Sequence, residues 1–112
     1  MSLLTKKTSG AAADNSPIGA NLSFAAAEAY KLLRANLMFS LAANDLKCRV
    51  VGITSSMPNE GKSATSINLA YSIAETGKRV LLIDGDMRLP TLAKRLNITR
   101  SPGLSNLLAG LC

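Results

Sequence analysis

The strongest constraint on the fold of this chain is the octapeptide SMPNEGKS at positions 56–63. It matches the phosphate-binding loop pattern GxxxxGK[ST] at every position except the first, where Ser56 replaces glycine. The β-branched run RVVGIT at 49–54 precedes the loop, and a stretch with helical periodicity begins at Lys62. A strand, a loop and a helix in this order are the context that the pattern requires. The sequence therefore predicts phosphate binding rather than an ordinary helix cap.

The chemistry of such a loop gives its last residues individual roles. Backbone N–H groups surround the β-phosphate, and the start of the following helix adds partial positive charge. Lys62 is expected to bridge the β- and γ-oxygens, and the Ser63 hydroxyl is expected to bind Mg²⁺. Gly61 is expected to leave room for close approach of the backbone. The predicted nucleotide-binding residues are Ser56, Met57, Pro58, Asn59, Glu60, Gly61, Lys62, Ser63 and Ala64.

A second group of candidates follows the apolar run VLLI at 80–83, which predicts a buried strand. Asp84 and Asp86 come directly after it, at the strand end where open α/β sheets bind their ligands. One carboxylate can hold Mg²⁺ while the other accepts a proton from an attacking hydroxyl. An Asp-Gly turn with an ion pair to Arg88 is the structural alternative. The predicted metal ligands are Ser63, Asp84 and Asp86, and the predicted catalytic residues are Lys62, Asp84 and Asp86.

Periodicity places helices around these two strands. The residues expected to form the apolar face of a first helix, capped by Ser23, are Ala26, Tyr30, Leu33, Leu37 and Leu41. A second helix is predicted from Lys62 to Thr76, with Gly77 as its stop and with Ile67, Ala70, Ile73 and Ala74 on one face. Short helices are predicted at 91–96 and 104–108. The sequence thus predicts an α/β fold, a P-loop NTPase-type parallel sheet with flanking helices, of which only the first βαβ portion is present.

Composition separates an arm from this domain and excludes several classes of site. Residues 1–22 are small and polar, so they predict a flexible N-terminal arm, and 23–112 form the domain portion. The chain has no His, which excludes Ser-His-Asp triads and HExxH zinc sites. A net charge of +6 suits a polyanionic partner, but aromatic residues make up only 4%, so no nucleic acid is expected. Cys48 and Cys112 lack metal-ligand spacing and fit a reducing cytosol.

Four segments of the chain occur in an order and spacing that are specific to one family. They are EAYKLLR at 28–34, ITSS with Pro58 and GKS at 53–63, LLIDGDMRLP at 81–90, and GLSNLLAG at 103–110. Together they resemble the cytoplasmic domain of bacterial tyrosine kinases of capsule and exopolysaccharide synthesis, over about residues 24 to 111. The resemblance implies an ATP-dependent protein-tyrosine autokinase. It also makes the Asp84 to Asp86 segment a Walker A′ motif that organises Mg²⁺ and activates the hydroxyl.

The same resemblance implies partners and a location. The family assembles rings through a helix motif Glu-x-x-Arg-x-x-Arg, which Glu28 and Arg34 match here, with Lys31 in the middle position. We expect these three side chains to form one polar stripe opposite the apolar face and to support a homo-oligomer, although Lys31 lacks the bidentate fork of arginine. Protein tyrosine substrates and a membrane activator, the chain-length-determinant protein, are implied as well. The implied location is cytoplasmic, at the inner face of the cell membrane.

Two family elements are not found in the sequence, and two other function classes remain open. No third strand ending in a Walker B Asp follows, and Tyr30 and Tyr71 lie in predicted helices rather than in a tyrosine cluster. The chain is therefore expected to be a kinase truncated before these elements. MinD/ParA-type partitioning ATPases share the fold, but they carry a signature Lys where Met57 stands and lack Arg88. A nucleotide-binding module without catalysis is the other alternative.

Overall fold

The computed structural model describes residues 17–43, 47–54, 61–88 and 90–110. After a 3-10 helix at Gly19–Asn21, its α-helices in chain order are α1 (Phe24–Leu41), α2 (Lys62–Ala74), α3 (Leu92–Leu96) and α4 (Leu104–Leu108). These helices confirm the four helical predictions. Within the described ranges no strand is formed, and the predicted strands at 49–54 and 80–83 have no regular secondary structure. The parallel sheet is therefore not confirmed.

The physical reason for the missing strands lies in pairing. A strand is stable only when its N–H and C=O groups bond to a neighbouring strand, and an apolar run in the sequence does not supply that neighbour. Val50 is 90% exposed and Leu81 is 83% exposed, so these two side chains are not packed in a core. The two runs have the apolar character of buried strands without the burial.

Two compact units are formed by the chain. Among the described residues, the helix-pair unit consists of 17–43, 47–54 and 64–81, and the loop unit consists of 61–63, 82–88 and 90–110. The helix-pair unit contains α1 and most of α2. The loop unit contains Lys62, Ser63, α3 and α4. No helix of the described residues has both the length and the apolar character needed to cross a membrane.

Helix α1 begins as the sequence predicts, because the Ser23 hydroxyl accepts a hydrogen bond from the Ala26 backbone N–H at 3.2 Å. Its predicted apolar face is only half-covered: no residue of α1 is buried. Phe24 and Phe39 are more than 80% exposed. The predicted polar stripe is wrong in one member, because the Arg34 side chain is partly buried and bonds to α2.

Hydrogen bonds to buried polar side chains of α2 hold the helix-pair unit together. The Gly19 backbone N–H donates to Asn68 Oδ1 at 2.7 Å. Arg34 Nη1 donates to the Ser72 carbonyl oxygen at 2.6 Å and lies 3.2 Å from the Ser72 hydroxyl. Carbonyl groups in the last turn of a helix lack partners within the helix, so Arg34 satisfies one of them. The 3-10 helix lies within the predicted arm, and the bond from Gly19 to Asn68 connects it to α2.

The buried face of α2 differs from the predicted apolar face. Ile67 is buried as predicted, whereas Ala74 is exposed. The other buried residues of the helix, mostly polar, are Ser63, Ser66, Asn68, Leu69 and Ser72. A prediction based on apolar periodicity could not find polar residues that are buried through hydrogen bonds. The stop after α2 is confirmed, since Gly77 has a φ of +85° and its N–H donates to the Ala74 carbonyl at 3.0 Å.

Candidate nucleotide-binding site

The start of α2 carries the last part of the predicted phosphate loop. Gly61 has a φ of +81°, a left-handed conformation that glycine adopts without steric cost. Among the described residues nothing lies within 4 Å of a Cβ placed on Gly61, and the backbone conformation by itself accounts for a glycine here. Lys62 is the first residue of α2 and is partly buried, as is Ala64. Ser56, Met57, Pro58, Asn59 and Glu60 lie outside the described residues.

Ser63 is the most deeply buried member of the predicted site, with an exposed fraction of 0%. Its hydroxyl oxygen lies 3.4 Å from the hydroxyl oxygen of Thr91, which is itself only 3% exposed. Both residues belong to the loop unit. The candidate site thus contains a buried pair of hydroxyls, one of which lies near the start of α2.

Asp84 contacts the backbone of Thr91. Its Oδ2 accepts hydrogen bonds from the backbone N–H groups of Thr91 at 3.1 Å and Leu92 at 3.2 Å. Its Oδ1 accepts a hydrogen bond from the Asp86 N–H at 3.1 Å. The carboxylate thus satisfies two N–H groups at the start of α3, where the Thr91 side chain makes no capping bond.

Asp86 belongs to the turn that follows Asp84. Its Oδ1 accepts a hydrogen bond from the Arg88 backbone N–H at 3.2 Å, the geometry of an Asx turn. Of the structural alternative, an Asp-Gly turn with an ion pair to Arg88, the structure shows the backbone hydrogen bonding to Asp84 and Asp86. This bonding does not compete with a functional role, because each carboxylate oxygen can accept more than one hydrogen bond or metal contact.

Thr91 is the residue of this site that sequence reasoning missed. It joins two predicted residues, Ser63 through its hydroxyl and Asp84 through its backbone N–H. The sequence offered one signal, a hydroxyl residue directly before a short helix, which is typical of an N-cap. The structure gives the capping function to the Asp84 carboxylate and leaves the Thr91 hydroxyl beside Ser63.

The donor set suits a nucleotide-bound cation. Mg²⁺ prefers oxygen ligands and is often held by one or two carboxylates together with substrate phosphates. Ser63, Asp84 and Asp86 supply a hydroxyl and two carboxylates, and the contacts through Thr91 link Ser63 to Asp84. No cluster of three or more His, Cys, Asp or Glu able to hold a metal occurs among the described residues. A hydroxyl and two carboxylates are oxygen donors that fit a cation shared with a phosphate.

The chain that carries this loop is similar to a known family of nucleotide-binding domains. The model of the CobQ/CobB/MinD/ParA nucleotide binding domain matches residues 51–109, which is more than half of the chain. The chain belongs to this family. The match covers both the GKS segment and the Asp84 to Asp86 segment. Membership makes the chain a nucleotide-binding domain of the P-loop NTPase type, as the sequence predicted, while the sheet of that fold class is not formed in the described residues.

Individual relatives in the family confirm the resemblance to bacterial tyrosine kinases. The tyrosine-protein kinase YwqD of Bacillus subtilis (strain 168) is 43% identical over 81 residues, which are 72% of this chain and 33% of YwqD. The tyrosine-protein kinase CpsD of Streptococcus pneumoniae serotype 4 is 43% identical over 89 residues, which are 76% of this chain and 36% of CpsD. The chain thus spans about a third of the length of these relatives. No solved structure matches it significantly.

Proposed function

We propose that this chain forms the nucleotide-binding part of an ATP-dependent protein-tyrosine autokinase that regulates capsular or exopolysaccharide synthesis. The observation that carries the proposal is the identity of 43% to YwqD over 81 residues, which are 72% of this chain. The linked Ser63, Thr91 and Asp84 contacts support it, because phosphoryl transfer depends on groups held in fixed positions.

ATP is the proposed nucleotide and Mg²⁺ the proposed metal. Lys62 would contact the β- and γ-phosphates, and Ser63, Asp84 and Asp86 would hold Mg²⁺. When bound, the metal would supply positive charge to the phosphate oxygens. The other proposed nucleotide contacts are those of Ser56, Met57, Pro58, Asn59, Glu60, Gly61 and Ala64.

Different roles in metal binding and proton transfer are proposed for Asp84 and Asp86. Three backbone N–H groups hold the Asp84 carboxylate, so we assign it to metal binding, where a fixed direction matters. Asp86 accepts a backbone hydrogen bond through Oδ1 from the Arg88 N–H within a turn. Besides its contact with the metal, we propose that Asp86 accepts the proton of the acceptor tyrosine hydroxyl.

We also propose the domain organisation and the sheet. Residues 1–22 would form the arm, and 23–112 would form the N-terminal part of a P-loop kinase domain. Residues 49–54 and 80–83 would be its first two parallel strands. The apolar and exposed side chains of Val50 and Leu81 support this proposal, because strands of a parallel sheet are covered on both faces.

A homo-oligomer is proposed through Glu28, Lys31 and Arg34. Glu28 and Lys31 form an ion pair at 3.3 Å, and both side chains are more than 40% exposed, so a second copy could reach them. Arg34 donates to Ser72, and its use in an interface would require exchange of that bond. The other proposed partners are protein tyrosine substrates and a membrane activator that brings the chain to the cytoplasmic face of the membrane.

A chimeric kinase tests the proposed function. We would replace the matching segment of YwqD by residues 24–111 of this chain and detect phosphotyrosine after addition of Mg²⁺-ATP. We expect phosphorylation by the chimera, loss of it in Lys62→Met, and retention in Lys78→Met, which removes an exposed lysine outside the loop. A chimera that binds ATP but forms no phosphotyrosine would contradict the kinase assignment.

A MinD/ParA-type partitioning ATPase is the second candidate, because the matching family model includes MinD and ParA. Met57 at the position of their signature Lys, and Arg88 after the second aspartate, argue against it. Measuring ATP hydrolysis with added DNA or anionic vesicles separates the two classes. Stimulation by either addition would favour the partitioning ATPase, whereas nucleotide binding without hydrolysis or transfer in the chimera would favour a non-catalytic module.

A further inference from the structure

We infer that Thr91 is a positioning residue of the nucleotide site, whose hydroxyl orients the Ser63 hydroxyl toward the metal. This inference rests on the proposed function of Ser63. Thr91 and Ser63 are both buried, and their hydroxyl oxygens lie 3.4 Å apart. The two residues are 28 positions apart in the sequence, so the contact is made by the fold and not by local geometry.

The chemistry of a hydroxyl explains why Ser63 needs such a neighbour. A serine hydroxyl has one hydrogen and two lone pairs, and it can bind a cation only if a lone pair faces the ion. The hydrogen must then point elsewhere, and in a buried site it needs an acceptor. Thr91 Oγ1 is an acceptor within reach of Ser63 Oγ. The distance of 3.4 Å exceeds the 2.5–3.0 Å of most O–H···O bonds, so we expect the pair to shorten when the metal binds.

The backbone of the same residue acts on a second predicted ligand. The Thr91 N–H donates to Asp84 Oδ2 at 3.1 Å, next to the Leu92 N–H. The Thr91 side chain does not take part in this bond or in capping α3. A substitution that removes only the hydroxyl therefore leaves the backbone contacts of Asp84 in place, and the two effects can be separated.

The test compares Mg²⁺-dependent and Mg²⁺-free nucleotide affinity in the full chain. Thr91→Val keeps the shape of the side chain without the hydroxyl, and Thr91→Ser keeps the hydroxyl. We would titrate ADP by calorimetry in Mg²⁺ and in EDTA. We expect Thr91→Val to reduce the gain in affinity from Mg²⁺ by about threefold to tenfold, with the affinity in EDTA unchanged. We expect Thr91→Ser to retain the gain.

Thr76→Val is the matched control, because it removes a threonine hydroxyl that donates to the Ile73 carbonyl at the end of α2. We expect it to retain the full gain from Mg²⁺. A full gain in Thr91→Val, or an equal loss of affinity in Mg²⁺ and in EDTA, would overturn the inference. The absence of any gain in the unmodified chain would instead overturn the proposed metal role of Ser63.

Thermal unfolding keeps the test decisive if Thr91→Val folds poorly. Thr91→Ala, which lacks the hydroxyl and is smaller, would then replace it in the same titrations. Folded Thr91→Ala with a reduced gain from Mg²⁺ supports the inference. Failure of both variants to unfold cooperatively would assign Thr91 to folding and overturn its role as a positioning residue.

Discussion

At the scale of single residues, Asp84 already has a structural function before any nucleotide binds. Its two oxygens accept hydrogen bonds from the backbone N–H groups of Asp86, Thr91 and Leu92. Hydrogen bonds to an ionised carboxylate are stronger than those between neutral groups, so the carboxylate holds the start of α3 to the end of the apolar run. A change at Asp84 would therefore alter stability as well as any metal binding.

Replacement of Lys62 tests the phosphate contact. We predict that Lys62→Met weakens Mg²⁺-ATP binding by about 1.5 to 3 kcal/mol, or roughly tenfold to a hundredfold, because a charge-assisted contact is lost in a partly desolvated site. Equilibrium titration of the full chain measures this change. Lys78→Met, which removes the same charge at an exposed position, should bind as the unmodified chain does. Equal affinities of Lys62→Met and the unmodified chain would contradict the assignment.

The candidate residues of this site can be recognised in the sequence, whereas the contacts between them cannot. The GKS segment and the two aspartates stand out because their residue types and spacing match a known chemical requirement. Thr91 did not stand out, since its importance comes from a contact across 28 positions that no local pattern records. The structure adds a reason for Gly61, a φ of +81° that only the folded backbone reveals.

At the scale of elements, the capping of α1 can be measured directly. Ser23→Ala removes the acceptor of the Ala26 N–H, and we predict a loss of about 1 kcal/mol in the free energy of unfolding. Ser40→Ala is the matched control, because its hydroxyl donates to the Asn36 carbonyl within the same helix and caps no free N–H group. Chemical unfolding followed by circular dichroism compares the two variants. An equal effect of both changes would argue against the cap.

The bond from Arg34 to Ser72 gives a second prediction at this scale. We predict that Arg34→Ala lowers the free energy of unfolding by about 1 to 2 kcal/mol, because it leaves a carbonyl in the last turn of α2 without its partner. Lys31→Ala breaks only an exposed pair with Glu28 and should change stability by less than about 1 kcal/mol.

Sedimentation of the same two variants separates stability from assembly. A loss of stability in Arg34→Ala without any change of molecular mass would show that Arg34 holds α1 to α2 rather than copies of the chain to one another. If the proposed oligomer depends on the exposed pair, Lys31→Ala should give the smaller species. An unfolding free energy unchanged by Arg34→Ala would contradict the stabilising role of the Ser72 bond.

The predicted helices were confirmed and the predicted strands were not, because the two kinds of element find their hydrogen-bond partners in different places. The hydrogen bonds of a helix lie within its own segment, so signals in that segment define where it begins and ends. Ser23 marks the start of α1, Gly77 marks the end of α2, and periodic apolar residues mark the helical segments. The hydrogen bonds of a strand are made to a neighbouring strand, and the apolar runs around Val50 and Leu81 do not identify that neighbour. Polar residues buried on α2, such as Asn68, were missed because their partners are also distant in sequence.

At the scale of the whole molecule, we predict that the 112-residue chain by itself has negligible phosphotransfer activity. Transfer requires the metal, the acceptor and the developing charge to be held together, and the chain spans only about a third of the length of YwqD. Tyr30 and Tyr71 are held in α1 and α2, so neither is a free acceptor segment.

Incubation with labelled Mg²⁺-ATP and a tyrosine-containing polypeptide tests this prediction, with purified YwqD as the positive control. We expect nucleotide binding by the chain without transfer above background. Transfer to tyrosine at a rate comparable with that of YwqD would show that the segment of about a third of YwqD's length is catalytically sufficient.

Tyr30 and Tyr71 confine the intrinsic fluorescence of the chain to one of its two units. The chain has no tryptophan, and both of its tyrosines line one cavity of the helix-pair unit, where the Tyr71 ring faces Gly19. Intrinsic fluorescence therefore originates in the helix-pair unit, while Lys62, Ser63 and Asp84 belong to the loop unit, which carries no such fluorophore. Ultraviolet emission will follow the melting of one half of the chain, and a fluorescence signal from the phosphate loop will require a labelled nucleotide.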